Sequence, residues 1–399
     1  MATSLKGNAV VGQSGGPTSV INQSLVGVIE EARSAGHIDQ LLGSRHGVRG
    51  IVDEKFISLK NLSTELLERV AQTPAAALGS TRDKPDEAYC LRIFETFRKH
   101  NVRYFFYIGG NDSADTARIV HELGRKQNYE LRVFHVPKTI DNDLRVHDHC
   151  PGYGSAARFV AAAVMGDDRD NASLPGVKVD VVMGRNAGFL TAASVLARRR
   201  AGDGPHLIYV PEVPLSEEKF LADVDAMYKK HNRCLVCVSE GVAGEGGKTW
   251  TERIASGLDV DSHKNIQLSG VGALGDYMAD LVKSKLKIKR VRADTFGYLQ
   301  RSFPGYTSPA DASEARLVGR LAVTYSGDDA MTEGSVAMRR VSDAPYRIET
   351  FLTPLSTVAR ETKHMDPSYI SGGNDITEAF IKYVRPLAGD LPVIGTLDE

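Results

Sequence analysis

The sequence predicts an α/β fold built on parallel sheets, and three observations predict it. Short apolar runs recur along the 399 residues, each run ends in a polar or glycine-rich turn, and most turns lead into a segment with helical spacing. Strands that alternate with helices pair in parallel, because the helix between them returns the chain across a sheet face. Open parallel sheets bind ligands at the carboxyl ends of their strands, so the turns are where function is sought.

The elements follow in order. Residues 8–13 form a short apolar strand that runs into Ser14-Gly15-Gly16-Pro17, and residues 20–32 then read as a helix. Residues 104–108, Tyr-Phe-Phe-Tyr-Ile, have the unbroken apolar character of a strand covered on both faces. This strand enters Gly109-Gly110-Asn111-Asp112-Ser113, and residues 114–123 have helical spacing. A third strand at 131–136 enters Pro137-Lys138-Thr139-Ile140-Asp141-Asn142-Asp143. A fourth at 179–183 is followed by Gly184-Arg185-Asn186-Ala187-Gly188 and a helix expected to end in Arg198-Arg199-Arg200, where cations suit the dipole. A fifth at 235–238 ends at Ser239-Glu240-Gly241. Residues 308–325 read as a helix, 336–352 alternate like strand, and 376–384 read as a closing helix. One sheet is placed near residues 1–152 and a second near 153–303.

Composition excludes several classes of function. At 42% hydrophobic and 25% charged residues the chain has enough apolar side chains to fold, which rules out a disordered tail. Lys plus Arg number 49 and Asp plus Glu 50, so the net charge of −1 leaves no field for nucleic acid. No apolar stretch of about 18 residues marks a membrane span. The opening residues 1–8 lack the order of a signal peptide, and four cysteines make no disulfide framework, which together point to the cytoplasm.

The turns carry the chemistry. Backbone N–H groups at a helix N-terminus bind anions, and glycine lets the anion come close. Gly15-Gly16 and Gly109-Gly110 each follow a strand and open a helix, and two such turns favour phosphate over an ordinary connection. Asp141 and Asp143 would share one side of an extended backbone, so that one serves as base while the other holds a metal or orients it. Arg185 at a strand end offers a bidentate clamp for phosphate, and Glu240 at another can accept hydrogen bonds from sugar hydroxyls.

Other motifs have plainer readings. Gly372-Gly373-Asn374-Asp375 repeats the tetrapeptide at Gly109 but follows no buried strand, so it reads as a turn and N-cap of the last helix. Residues 241–249 resemble a P-loop whose spacing is wrong: five residues, or two, stand where four are required. The basic run 283–292 reads as a solvated helix face and strand lead-in. Cys234 and Cys237 fall on opposite sides of a strand, His147 and His149 lack a third metal ligand and read as a polar loop, and Trp250 reads as packing.

Taken together, the turns resemble the phosphofructokinase family. The residues that carry the resemblance are Gly15-Gly16-Pro17 with Asn22, Leu78-Gly79-Ser80-Thr81-Arg82, residues 109–113 and 137–143, Met183-Gly184-Arg185, Ser239-Glu240-Gly241 and Gly297-Tyr298-Leu299-Gln300-Arg301. Order and spacing agree from residue 8 to about 311, and the stretch 137–143 is the most specific. The resemblance implies two Rossmann-like three-layer domains with the active site in the cleft between them. Residues 1–152, completed by 304–399, would be the phosphoryl-donor domain, and 153–303 the sugar-phosphate domain. It implies phosphoryl transfer to the 1-hydroxyl of fructose 6-phosphate, chemistry that rests on positioning and charge stabilisation. Asp141 matches the family's base, with Thr139, Ile140 and Asp143 flanking the acceptor. Arg185 and Arg82 match positions that steady the transferring group. Met183, Gly184, Glu240, Arg292, Tyr298 and Arg301 match the acceptor and sugar-phosphate pocket. Gly15, Gly16, Gly110 and Ser113 fall on the donor side with Asp112 and Lys138.

The donor follows from two of these positions. Family members that use ATP usually have glycine where this chain has Asp112, and a carboxylate there would fill the space of the α-phosphate and repel it. Two like charges about 4 Å apart cost about 4 kcal/mol at intermediate dielectric. Bacterial ATP enzymes have glycine where this chain has Lys138, whose ammonium suits a donor without an adenosine anchor. Asp112 with Lys138 resembles the pyrophosphate-dependent branch, and a reversible reaction follows from that donor. Asn111 stands where the family commonly has a magnesium-binding Asp, so Mg²⁺ would be held largely by pyrophosphate and water. Val26 and Glu30 replace the arginines of the allosteric enzymes, so effector control through that helix is not expected. The family assembles as homodimers or homotetramers; no nucleic acid or membrane is expected as partner. Two alternatives stay open: an ATP-dependent 6-phosphofructokinase, and a non-catalytic regulatory subunit of the same fold.

Overall fold

The computed structural model describes residues 5–255 and 272–397; residues 1–4, part of the opening stretch considered above, lie outside the described residues. In chain order the strands are β1 (Gly7–Gln13), β2 (Ile38–Ser44), β3 (Phe56–Ser58), β4 (Val102–Gly109), β5 (Arg132–Pro137), β6 (Val177–Val182), β7 (Leu207–Tyr209), β8 (Cys234–Ser239), β9 (Val291–Thr295), β10 (Glu333–Asp343), β11 (Tyr346–Thr353) and a short pair, β12 (Ile370–Ser371) and β13 (Asp375–Ile376). Chain contacts divide them into two units, residues 1–155 with 301–363, and 156–300 with 364–399.

The first unit holds a seven-stranded sheet in the order β11-β10-β5-β4-β1-β2-β3. Its five central strands are parallel, and β3 and β11 close the edges antiparallel. The unbroken apolar run in β4 is explained by two covered faces. Tyr104, Phe106 and Ile108 meet Leu25 and Val28 of the helix Ile21–Ser34 and Val318 and Ala322 of the helix Pro309–Ser326. Phe105 and Tyr107 meet Ile93 and Phe97 of the helix Glu87–Lys99 and Ala117 and Val120 of the helix Asn111–Lys126. The helices Ile21–Ser34 and Pro309–Ser326 cross at two glycines: a Cβ on Gly27 would lie 2.2 Å from the Arg316 carbonyl oxygen, and one on Gly319 2.2 Å from that of Ser24.

The second unit holds a parallel four-stranded sheet in the order β7-β8-β6-β9. Val177, Val179 and Val181 of β6 pack with Phe220 and Val224 of the helix Glu217–His231 and with Met278 and Val282 of the helix Ala273–Leu286. Trp250 is buried in the same cluster and donates through its indole N–H to the Leu215 carbonyl at 3.0 Å, as a packing residue would. The basic run at 283–292 is the end of that helix and the start of β9.

Several expectations need correction. The helix after β6 stops short of the three arginines: it is a turn of α-helix at Phe189–Ala192 and a 3₁₀ turn at Ala193–Ala197, and Arg198 is extended, with φ −70° and ψ 112°. Residues 372–375 do not cap the last helix. Gly372 and Gly373, both with positive φ, turn β12 into β13, and the helix Glu378–Ala388 begins after Thr377. Residues 364–397 belong to the second unit rather than completing the first, because Phe380 and Tyr383 of the last helix pack against Phe189 and Tyr369. Among the described residues no helix is long and apolar enough to cross a membrane.

Candidate active site

In the first unit the candidate turns lie at the carboxyl ends of β1, β4 and β5. After β1 the chain turns at Gly15, whose φ of +73° is a conformation that glycine adopts without strain. Two cations press on this turn. Lys138 donates through Nζ to the Gly16 carbonyl at 2.7 Å, and an Arg301 guanidinium nitrogen lies 2.7 Å from where a Cβ on Gly16 would sit. A side chain on either glycine would take the space the cations occupy. Lys138 is 4% exposed, and its pKa falls to about 8, first through burial and then through the nearby charge of Arg301 and Arg82, with Asp141 and Asp143 opposing. A buried ammonium among other cations is stabilised by an incoming anion.

The second glycine turn is anchored to the first. Ser14 and Ser113 share a hydroxyl hydrogen bond of 2.5 Å, and Gly109 is bare because a Cβ would lie 2.0 Å from the Ser113 hydroxyl. Gly110 is the N-cap of the helix Asn111–Lys126, and Asp112 stands exposed in its first turn, where the helix dipole favours a carboxylate. Lys84 pairs with Asp112 at 3.1 Å, on the loop that also carries the exposed Arg82. Asn111 spends its amide N–H on the Glu361 carbonyl at 3.0 Å. A cation at this turn would find one neutral amide oxygen and one carboxylate already paired with lysine, so most of its ligands must come from a phosphate-bearing substrate and water, the usual habit of Mg²⁺.

After β5 the backbone is not extended as the two-carboxylate argument required: Asn142 is left-handed, with φ +59°. A local turn replaces strand alternation. Thr139 donates through its hydroxyl to Asp143 at 3.1 Å and accepts from the Asp141 N–H at 3.1 Å. Ile140 is buried and Asp141 partly exposed. Burial pushes the Asp143 carboxyl up, against the Thr139 hydrogen bond and the charges of Lys363 and Lys138. His147 and His149 lie in a loop with polar partners, and both are buried: His149 lies between Asp148 and Glu314, each at 2.7 Å, and those two bonds raise its pKa against the effect of burial.

In the second unit, Met183, Gly184 and Arg185 follow β6, and Glu240 and Gly241 follow β8. Gly184 has φ +131° and accepts the Ser239 hydroxyl, while the Met183 N–H donates to the Gln300 side chain at 3.2 Å. Gly241 lets the two ends meet: a Cβ there would lie 2.0 Å from the Arg185 carbonyl oxygen. The exposed Arg185 stands 3.9 Å from the buried Glu240. Arg292, on β9, is exposed and donates to the Val291 carbonyl at 3.0 Å, and Tyr298 is exposed in the segment that follows. Lys178 is engaged by Asp167, and by Asp170 and Asp294 at 3.4 and 3.5 Å. Among the described residues, Asp167, Asp180 and Asp294 are the group of three carboxylates close enough to share a cation, and the Lys178 ammonium already supplies positive charge there. The spacing of these four along the chain gave no signal of their grouping.

Residues 8–325 match the family model described as phosphofructokinase. A pyrophosphate–fructose 6-phosphate 1-phosphotransferase of Rhodospirillum rubrum is 52% identical over 385 residues, 96% of this chain and 95% of that protein. One of the same name from Xanthomonas campestris is 40% identical, over 97% of this chain and 93% of its own. The crystal structure of a pyrophosphate-dependent phosphofructokinase from Nitrosospira multiformis matches with a TM-score of 0.86 at 35% identity, covering 98% of this chain and 94% of that one.

Proposed function

The chain belongs to the phosphofructokinase family, and from that premise we propose that it transfers a phosphoryl group reversibly between pyrophosphate and the 1-hydroxyl of fructose 6-phosphate, giving fructose 1,6-bisphosphate and phosphate. The observation that carries the donor is the pair of groups at the glycine turns. Lys138 holds a buried ammonium against Gly15-Gly16, and Asp112 holds a carboxylate at the N-terminus of the helix that opens at Gly110. Pyrophosphate supplies the charge that the first lacks and leaves room for the second, whereas a nucleotide would bring its α-phosphate against Asp112.

In the forward direction Asp141 takes the proton from the sugar hydroxyl as its oxygen bonds to phosphorus, and the bond to the leaving phosphate breaks. Lys138, Arg82 and Arg185 balance the negative charge spread over the transferring group, and Arg301, beside Gly16, joins them while also serving the sugar phosphate. Gly110 and Ser113 complete the donor side. Thr139, Ile140, Asp143, Met183 and Gly184 line the acceptor, and Glu240, Arg292 and Tyr298 hold the sugar and its phosphate. Mg²⁺ bound to pyrophosphate, with Asn111 as a neutral ligand, would supply charge neutralisation in the sense usual for phosphoryl transfer. A cytoplasmic homodimer or homotetramer without control by effectors belongs to the same proposal. In this chain Glu30, where an effector-binding cation would stand, is engaged by Arg316 and Arg320 at 2.6 Å each. Phosphorus NMR tests the reaction: pyrophosphate with fructose 6-phosphate should yield bisphosphate and phosphate, and the two products mixed should regenerate pyrophosphate. Bisphosphate formed without consumption of pyrophosphate would refute it.

A further inference from the structure

We propose that Lys363 is a positioning residue for phosphoryl transfer, holding the loop that carries Asp141 from a segment of chain more than two hundred residues away; the proposal rests on Asp141 as the proton acceptor. Between β5 and the helix Tyr153–Ser173 the chain runs through residues 138–152 with no strand or helix of its own, apart from isolated bridges. A loop of that length places a carboxylate reproducibly only where other chain holds it, since each free residue carries backbone entropy. Catalysis by positioning is sensitive to small displacements of the reacting groups.

Lys363 supplies three of the ties. Its backbone N–H donates to the Asp143 carbonyl at 2.7 Å, and its ammonium donates to the carbonyls of His147 at 3.0 Å and Asp148 at 2.9 Å. Both ends of the bend around residues 143–148 are thereby fixed to one residue, and the side-chain bonds are charge-assisted. The neighbouring chain continues the strap: Thr362 bridges Leu144 antiparallel, Glu361 pairs with Arg145, and the Glu361 carbonyl receives the Asn111 amide. One segment therefore grips the Asp141 loop and the donor turn together. Inside the loop, Asn142 adds an independent tie. It is fully buried and its side-chain oxygen accepts the Cys150 N–H at 3.0 Å.

A lysine with a purely structural role would lower folded yield and melting temperature without separating kcat from KM. A positioning role lowers kcat and leaves the binding of both substrates in place. The test compares Lys363→Met, Lys363→Arg, Asn142→Gly and Asp141→Asn in the full chain, with steady-state kinetics for pyrophosphate and fructose 6-phosphate and thermal melting of each variant. Lys363→Met should lose about 10- to 100-fold in kcat with both KM values within about threefold. Lys363→Arg, which can still donate to two carbonyls, should recover most of that loss. Asn142→Gly keeps the left-handed backbone and should show the same split. Should Lys363→Met fail to fold, Lys363→Gln, which can reach one carbonyl, carries the same expectation at smaller size. The inference is overturned by a folded Lys363→Met within twofold of the parent kcat, by a loss confined to KM, or by an arginine variant as impaired as the methionine one. An Asp141→Asn variant with kcat within about tenfold of the parent would instead overturn the proton-acceptor assignment beneath it.

Discussion

Replacing Lys138 by Met should stabilise the free protein and disable it in the same step. The side chain is 4% exposed, and its pKa stands at about 8 against an ordinary 10.5. A depression of that size makes the charged form cost about 3 kcal/mol at neutral pH. Methionine has similar length and no charge, so Lys138→Met should recover a part of that cost, less the bond to the Gly16 carbonyl, about 1 kcal/mol. The sign over pH follows from linkage. The folded pKa lies below the unfolded one, so the unfolded chain binds more protons between about pH 8 and 10.5 and the parent gains stability with rising pH there. The advantage of the variant should thus be constant below pH 8 and shrink above it. Denaturant unfolding of both proteins from pH 6.5 to 9.5 measures this. Initial rates measure the other half: turnover with pyrophosphate should fall by 100-fold or more, the scale of a lost charge partner to a transferring phosphoryl group. A variant less stable than the parent at pH 7, or one that keeps its turnover with pyrophosphate, would refute the reasoning.

Other outcomes follow from the same contacts. Asp141→Asn should lower kcat by about 10²- to 10⁴-fold, the range of general base catalysis, with both KM values little changed in steady-state assays. Asp112→Gly should admit ATP weakly and impair turnover with pyrophosphate; it should also lose about 1–2 kcal/mol, because a carboxylate leaves the helix N-terminus and a glycine enters the first turn. An unchanged donor preference would defeat the account of Asp112. Gly27→Val should destabilise by about 1–3 kcal/mol in thermal or denaturant melts, since a side chain there meets the Arg316 carbonyl at 2.2 Å.

The sequence made the sheets legible because buried parallel strands are continuous apolar runs, as at residues 104–108, and because glycine pairs mark their ends. Arg185 stands out as an arginine at a strand end, whereas Asp112 and Lys138 are singled out through the resemblance to the phosphofructokinase family rather than by local pattern. The sequence did not disclose the bend at Asn142, since a left-handed residue inside Ile-Asp-Asn-Asp leaves no periodic trace and strand alternation was the simpler assumption. The last helix was found a few residues early, and its home in the second unit was missed. That depends on Phe380 and Tyr383 meeting Phe189 across nearly two hundred residues, a packing choice that local pattern does not encode. Lys363 is invisible for the same reason: a single lysine after an irregular stretch acquires meaning only from the carbonyls it meets.

The most direct measurement is a donor comparison with fructose 6-phosphate and Mg²⁺ held constant, pyrophosphate in one assay and ATP in the other. The account predicts turnover with pyrophosphate at least 100-fold above that with ATP, and formation of pyrophosphate from fructose 1,6-bisphosphate and phosphate under the same conditions. Turnover with ATP that equals or exceeds that with pyrophosphate would contradict it.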